Sequence, residues 1–167
     1  MAQQHLKLQF NFEHVSGQSV TDPISGVTAQ LMNQAKVVDY GKYHVLDLGN
    51  GTGYLDMTKE AGTIAKNLND FTVSVYYRVD KDASLSGAGY FLWCFSQSEA
   101  NTQTASPYMG YRLNAQRMAT STGGWGSEVG TQVGKPPTKG RGFNWSNRKT
   151  GQKARWFTME RKPPCPL

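Results

Sequence analysis

Carboxylates come first, because a retaining glycosidase needs a nucleophile and an acid/base carboxyl about 5 to 5.5 Å apart. The closest acids are Asp80 with Asp82 and Asp56 with Glu60, and both pairs fall at the ends of expected strands or a helix. Solvated turn carboxylates are the ordinary case in such places, so no catalytic residue is assigned. His5, His14 and His44 lack a metal-ligand spacing and there is no cysteine cluster, which argues against zinc. Asp22, Asn50 and Asp56, with backbone carbonyls, offer the hard oxygens that calcium takes. The same residue types also form turns, and nothing in their spacing fixes a coordination set. "GNGTG" at 49–53 lacks the Lys-Ser/Thr of a phosphate loop and the helix of a dinucleotide fold, so it is expected to be a β-turn. The binding candidates are aromatic. Tyr108, Tyr111 and Trp125 could stack on sugar faces, with Arg112 and Asn114 as polar partners. The alternative for each ring is packing in a core or at an edge. "STGGWG" places Trp125 in what reads as a flexible, Gly-rich loop.

These residues need a scaffold, and composition favours strands. The 167 residues include 18 Gly, 7 Pro, 8 Tyr, 7 Phe and 4 Trp, which suits strand-and-turn chemistry in about one domain. No apolar run approaches the roughly 20 residues that cross a bilayer, so membrane insertion is not expected. The net charge of +6 would suggest nucleic acid, but its distribution does not. Residues 139–167 hold eight basic side chains against Glu160, a net +7, and the remaining 138 residues carry −1. Nucleic-acid binding would therefore rest on the tail alone. Cys94 lies in the apolar run "YFLWCFS" and Cys165 in the tail, which suggests one core thiol and one exposed thiol rather than a disulfide.

Alternation locates the strands. "LKLQFNFEHV" sets Leu6, Leu8, Phe10 and Phe12 on one face and predicts a first strand. "VTAQLMNQAKVV" and "YHVLDLG" predict further strands, with Asp47 a candidate acceptor for the turn that follows. "TKEAGTIAKNLND" predicts one short helix with Thr58 as N-cap. "FTVSVYYRVD" alternates most clearly, and "GYFLWCFS" is apolar enough for a central strand covered on both faces. "YMGYRLNAQ" and "RMATST" predict a pair joined at "NAQ". About seven short strands with turn signals between them predict an all-β sandwich or jelly roll.

The motifs "VLDLGNGTGYLDM", "NDFTVSVYYRVD" and "GYFLWCFS", following "LQFNFEHV", resemble the laminin-G-like branch of the concanavalin A-like lectin/glucanase superfamily. Together with "YRLNAQRMATSTGG", they look like modules of exported Bacteroidetes proteins attached to arabinan- or xylan-degrading glycoside hydrolases. The resemblance covers about residues 6–138. It implies an all-β jelly-roll/β-sandwich of concanavalin A-like type, C-terminally truncated, followed by an irregular basic tail. Folds of this kind often carry a calcium ion, so the resemblance leaves room for one without requiring it. The E-x-D-x-x-E arrangement of the superfamily's hydrolases is absent from the sequence.

The family's next motif, "W.HVA" followed by a "G.LY.NG" hairpin, is also absent. A shifted reading of the tail's codons recovers the hairpin and permits a Trp followed by an aliphatic residue near Gly142 and Phe143. The Trp156 to Phe157 junction then forces Val and the Met159 to Glu160 junction forces Gly. The two junctions between them allow Tyr or His, then Tyr, His, Asn or Asp, so "NGTKGTLVYNG" is a permitted reading. The expectation is a frame slip near Thr138 to Arg141, with 1–138 an incomplete module and 139–167 out of frame. A genuine basic tail with an anionic partner is the alternative.

The function expected is that of a non-catalytic carbohydrate-binding or interaction module whose partner is a polysaccharide or other glycan. The alternative is an accessory-domain fragment of an arabinan- or xylan-type glycoside hydrolase with its catalytic domain downstream. "MAQQHLKLQF" lacks the charged and apolar regions of a signal peptide, and "AQQ" resembles residues left after signal cleavage. An extracellular, periplasmic or cell-surface parent is the corresponding expectation.

Overall fold

The structure, a computed structural model, describes residues 5–49, 51–84, 91–96, 107–131, 134, 137–140, 142–150 and 153–155. It is mostly strand, in antiparallel sheets, with one short α-helix. No helix among the described residues is long and apolar enough to cross a membrane. The chain divides into two compact units.

The first unit comprises the described residues up to Thr72, with Arg148–Arg155. Strands β1 (Val15–Ser16), β2 (Ser19–Thr21), β3 (Thr28–Met32) and β6 (Tyr54–Asp56) form one sheet in the order β1-β2-β3-β6. Alternation on β3 turns Ala29 and Leu31 inward, and Ala29 pairs directly with Val20 of β2. These side chains, with Val27 and Ala61 of helix α1 (Thr58–Lys66), are the buried apolar residues of the unit. Complete burial of a valine such as Val20 is worth roughly 1.5 to 3 kcal/mol. Strands β4 (Lys36–Tyr40) and β5 (Tyr43–Asp47) form a hairpin whose two-residue loop carries Gly41 at φ +63°. Glycine at the first loop position suits the mirror-image turns that hairpin twist requires. On that hairpin His44 lies between two carboxylates, with Nδ1 2.9 Å from Glu13 and Nε2 3.2 Å from Asp39.

In the second unit, Val73–Asn147, strand β7 (Phe71–Arg78) packs against a four-stranded sheet. That sheet contains β8 (Phe91–Ser96), β9 (Tyr108–Arg112), β10 (Arg117–Ser121) and β11 (Val129–Gly130), in the order β11-β10-β9-β8. Val73, Val75 and Tyr77 of β7 meet Trp93, Tyr111 and Met118 of the sheet, with Leu92, Phe95 and Met109 around them. Two layers of strands thus share one apolar interior, as in a β-sandwich. Strand β12 (Gly142–Thr150) lies beside β7, and Arg148–Thr150 of β12 pair with β13 (Lys153–Arg155).

Several expectations are corrected. Residues 6–14 are not a ladder strand: the Gln9 amide donates to the Asp22 carboxylate, and Phe12 adopts φ +64°, which interrupts extended pairing. "VTAQLMNQAKVV" is two strands, broken where Asn33 takes φ +56°. Thr58 is the first helical residue rather than the cap, and its amide donates to Asp56 at 2.8 Å. Strand β8 ends the described sheet instead of occupying its centre. The tail is not irregular at 142–150 and 153–155. Backbone pairing requires no side-chain alternation, and proline, which would remove a donor, first appears in the tail at Pro163.

Candidate functional site

Strand alternation determines which predicted residues meet. On β9, Met109 and Tyr111 face the apolar layer, so Tyr108, Gly110 and Arg112 face the other way. The pairing of β9 with β10 sets Arg112 opposite Arg117 and Tyr108 opposite Ser121. An irregularity between Phe91 and Trp93 shifts the register of β8 and brings Phe91 opposite Arg112. Gly110 leaves the space Phe91 needs, because a Cβ there would lie 2.8 Å from the Phe91 ring and 2.6 Å from the Trp93 carbonyl oxygen. The Arg112 guanidinium carbon stands 4.7 Å from the centroid of the Phe91 ring, and Tyr108 meets that ring edge-on at 5.6 Å.

Glu128 completes this face. Arg112 donates to Glu128 Oε2 from Nε at 2.8 Å and from Nη2 at 2.5 Å. The Tyr108 hydroxyl donates to the same oxygen and accepts from Arg112 Nη2 at 3.3 Å. Glu128 Oε1 stands 3.8 Å from Arg117 Nη2. The side chains of Arg112, Glu128 and Arg117 are 7%, 13% and 19% exposed, so the cluster is largely desolvated. Burial pushes the Glu128 carboxyl up, but hydrogen bonds from Arg112 and Tyr108 and the charges of Arg112 and Arg117 hold it below its ordinary value. Burial, reinforced by the hydrogen bond to Glu128, raises the Tyr108 phenol and keeps it a donor.

The loop leading to Glu128 is cross-tied rather than flexible. The Ser121 hydroxyl donates to the Gly124 carbonyl and lies 2.9 Å from the Ser127 hydroxyl. The Gly123 amide reaches both hydroxyls at 3.1 Å. Gly124 takes φ +79°, a conformation that side chains disfavour, and Trp125–Ser127 then form a 3-10 turn headed by Trp125. Three residues after Trp125, Glu128 anchors the segment to β9.

The other predicted residues are placed differently. Tyr111 lies in the apolar core, so its ring is packing and not a sugar platform. Asn114 is half-buried in the turn between β9 and β10. Among the calcium candidates, Asn50 lies outside the described residues. Asp22 is fully buried and accepts from the amides of Gln9 (3.0 Å), Ile24 (2.8 Å) and Ser25 (3.1 Å) and from the Ser25 hydroxyl. A cation would have to displace those donors. Burial raises the Asp22 carboxyl, the Ser25 hydroxyl and the three amides outweigh it, and the net shift is downward. Asp56 accepts the Thr58 amide, and among the described residues no three His, Cys, Asp or Glu side chains gather as a metal site.

Glu128, Arg117 and Phe91 were not singled out by sequence. One signal was available: Arg112, Arg117 and Glu128 are the only charged residues between 107 and 131, and such isolated opposite charges invite pairing. Phe91 had none, because its face depends on the bulge. No protein-family model, curated protein or solved structure matches the chain.

Proposed function

We propose that the chain is a non-catalytic carbohydrate-binding module of an exported bacterial protein, with the laminin-G-like jelly roll as its fold and Trp125 as its sugar-stacking residue. One observation carries this reading: the loop headed by Trp125 is held by hydrogen bonds at both ends, and Tyr108 and Arg112 grip Glu128 just beyond it. A stacking residue on a preset loop binds without first ordering the loop, a cost that otherwise subtracts from affinity. Tyr108 and Arg112 hold Glu128, which follows the loop, instead of touching the sugar.

The test is affinity electrophoresis of the full chain in gels containing arabinan, arabinoxylan or polygalacturonate, beside Trp125→Ala. Retardation of the native protein, weakened about tenfold or more in the variant, is expected for the loss of a stacked ring worth about 1.4 kcal/mol or more. Equal mobility in every gel, or retardation unchanged by Trp125→Ala with the fold intact by circular dichroism, overturns the reading.

A further inference from the structure

The last described residues form a basic ribbon. Strand β12 pairs with β13 through Arg148 and Arg155, Lys149 and Ala154, and Thr150 and Lys153. Only Gly151 and Gln152 separate the two strands in sequence, and glycine suits the first place of a two-residue hairpin connection. Residues opposite each other in a ladder share a face, and so do residues two apart along a strand. Arg148, Lys153 and Arg155 therefore belong to one face of the ribbon, with Thr150, and Lys149 belongs to the other.

This register sets like charges together. Arg148 and Arg155 are directly opposite, a relation in which cations repel. The segment's own sequence supplies no relief: residues 148–155 hold four cations and no acid, and Glu160 is the one acid in 139–167. A polyanion turns that repulsion into attraction, because each basic side chain that neutralises one of its charges releases a condensed counterion.

We propose that the face carrying Arg148, Lys153 and Arg155 binds the phosphate backbone of duplex DNA without regard to sequence. The inference does not rest on the carbohydrate reading, and it gives a genuine basic tail its anionic partner. Shape and charge both favour the duplex. Its major groove, about 12 Å wide, admits a two-stranded ribbon, and its phosphates present one negative charge per about 1.7 Å of axis. Two of the three cations are guanidinium groups, whose planar forks match pairs of phosphate oxygens. Residues 1–138 carry a net charge of −1 and add no general attraction, so the binding is assigned to the tail.

The experiment is fluorescence anisotropy of a fluorescein-labelled duplex of about 20 base pairs, titrated with the full chain at salt concentrations from about 50 to 200 mM. At roughly 0.9 per phosphate contact, three contacts give a log–log slope of affinity against salt of about −2.7 or steeper. Arg155→Gln should flatten the slope by about 0.9 and the triple variant Arg148→Gln/Lys153→Gln/Arg155→Gln by about 2.7, whereas Lys149→Gln leaves it unchanged. No binding at the lowest salt, or a slope near zero in the native chain, overturns the proposal. A slope that the triple variant shares with the native chain overturns this face as the contact. A flattening by Lys149→Gln equal to that by Arg155→Gln overturns the assignment to one face. Displacement of the duplex by polygalacturonate at an equal or lower concentration of charge overturns DNA as the partner in favour of an acidic polysaccharide. The native-chain titration decides the matter even where a variant fails to fold.

Discussion

Replacing Glu128 by alanine leaves Arg112 without its carboxylate and Tyr108 without its acceptor. The Arg112 side chain is only 7% exposed, and two of its nitrogens donate to Glu128, at 2.8 and 2.5 Å. Breaking a buried ion pair from one side costs about 3 to 5 kcal/mol, because the remaining charge keeps its desolvation penalty without compensation. For a chain of 167 residues that corresponds to a fall in melting temperature of roughly 10 °C. Glu128→Gln retains one acceptor and should cost less, about 1.5 to 3 kcal/mol for a weakened charged hydrogen bond. The assay is urea unfolding followed by tryptophan fluorescence, completed as a double-mutant cycle with Arg112→Leu. The double variant Arg112→Leu/Glu128→Ala should be more stable than Glu128→Ala, since it removes the stranded charge along with its partner. A cost for Glu128→Ala below about 0.5 kcal/mol, the level of ordinary surface substitutions, would refute the reasoning. So would single costs that simply add.

Acid should destabilise the fold through two carboxyls. Asp22 and Glu128 are both held below their ordinary values of 3.8 and 4.5, so the unfolded chain binds protons first as pH falls. Their contribution is complete above those values and disappears as pH drops through the folded ones. Urea midpoints should therefore decline in the acid range, and less steeply in Asp22→Asn or Glu128→Gln. Gly110→Ala forces a methyl to within 2.6 Å of the Trp93 carbonyl and 2.8 Å of the Phe91 ring, and should cost about 1 to 3 kcal/mol in thermal unfolding. A neutral result would show that β8 yields to the added carbon. Burial pushes the Cys94 thiol up to about 11, so in a Cys165→Ser background it should label with a thiol reagent at pH 8 only as fast as the protein opens. Labelling at the rate of a free thiol would contradict that burial.

Legibility followed the kind of physics involved. Strand β7 was readable because one face is half-buried along its length, and Val73, Val75 and Tyr77 do pack inward. The helix at 58–66 and the β9–β10 pair were readable from local periodicity and turn chemistry. "LKLQFNFEHV" misled because a single side-chain acceptor, Asp22, takes the Gln9 amide that a ladder would use. Tyr108 and Arg112 were singled out by residue type, whereas their pairing runs through Glu128, which is 16 residues from Arg112. A local pattern carries no information about such a pairing. Asp22 was recognised as an oxygen donor, but whether its oxygens face a cation or amides is decided by backbone turns that composition does not encode.

The bulge in β8 assigns Phe91 to the charged face, although its neighbours in the same apolar run line the interior. Hydrophobicity at that position is thus a dielectric property of the site rather than a contribution to the core. The ring keeps water from one side of Arg112 and sharpens the field between that guanidinium and Glu128. Phe91→Leu would preserve the apolar volume while removing the negative face of the ring from the cation. Leu92, its immediate neighbour, answers to packing alone, so one apolar strand obeys two different selection rules at adjacent residues.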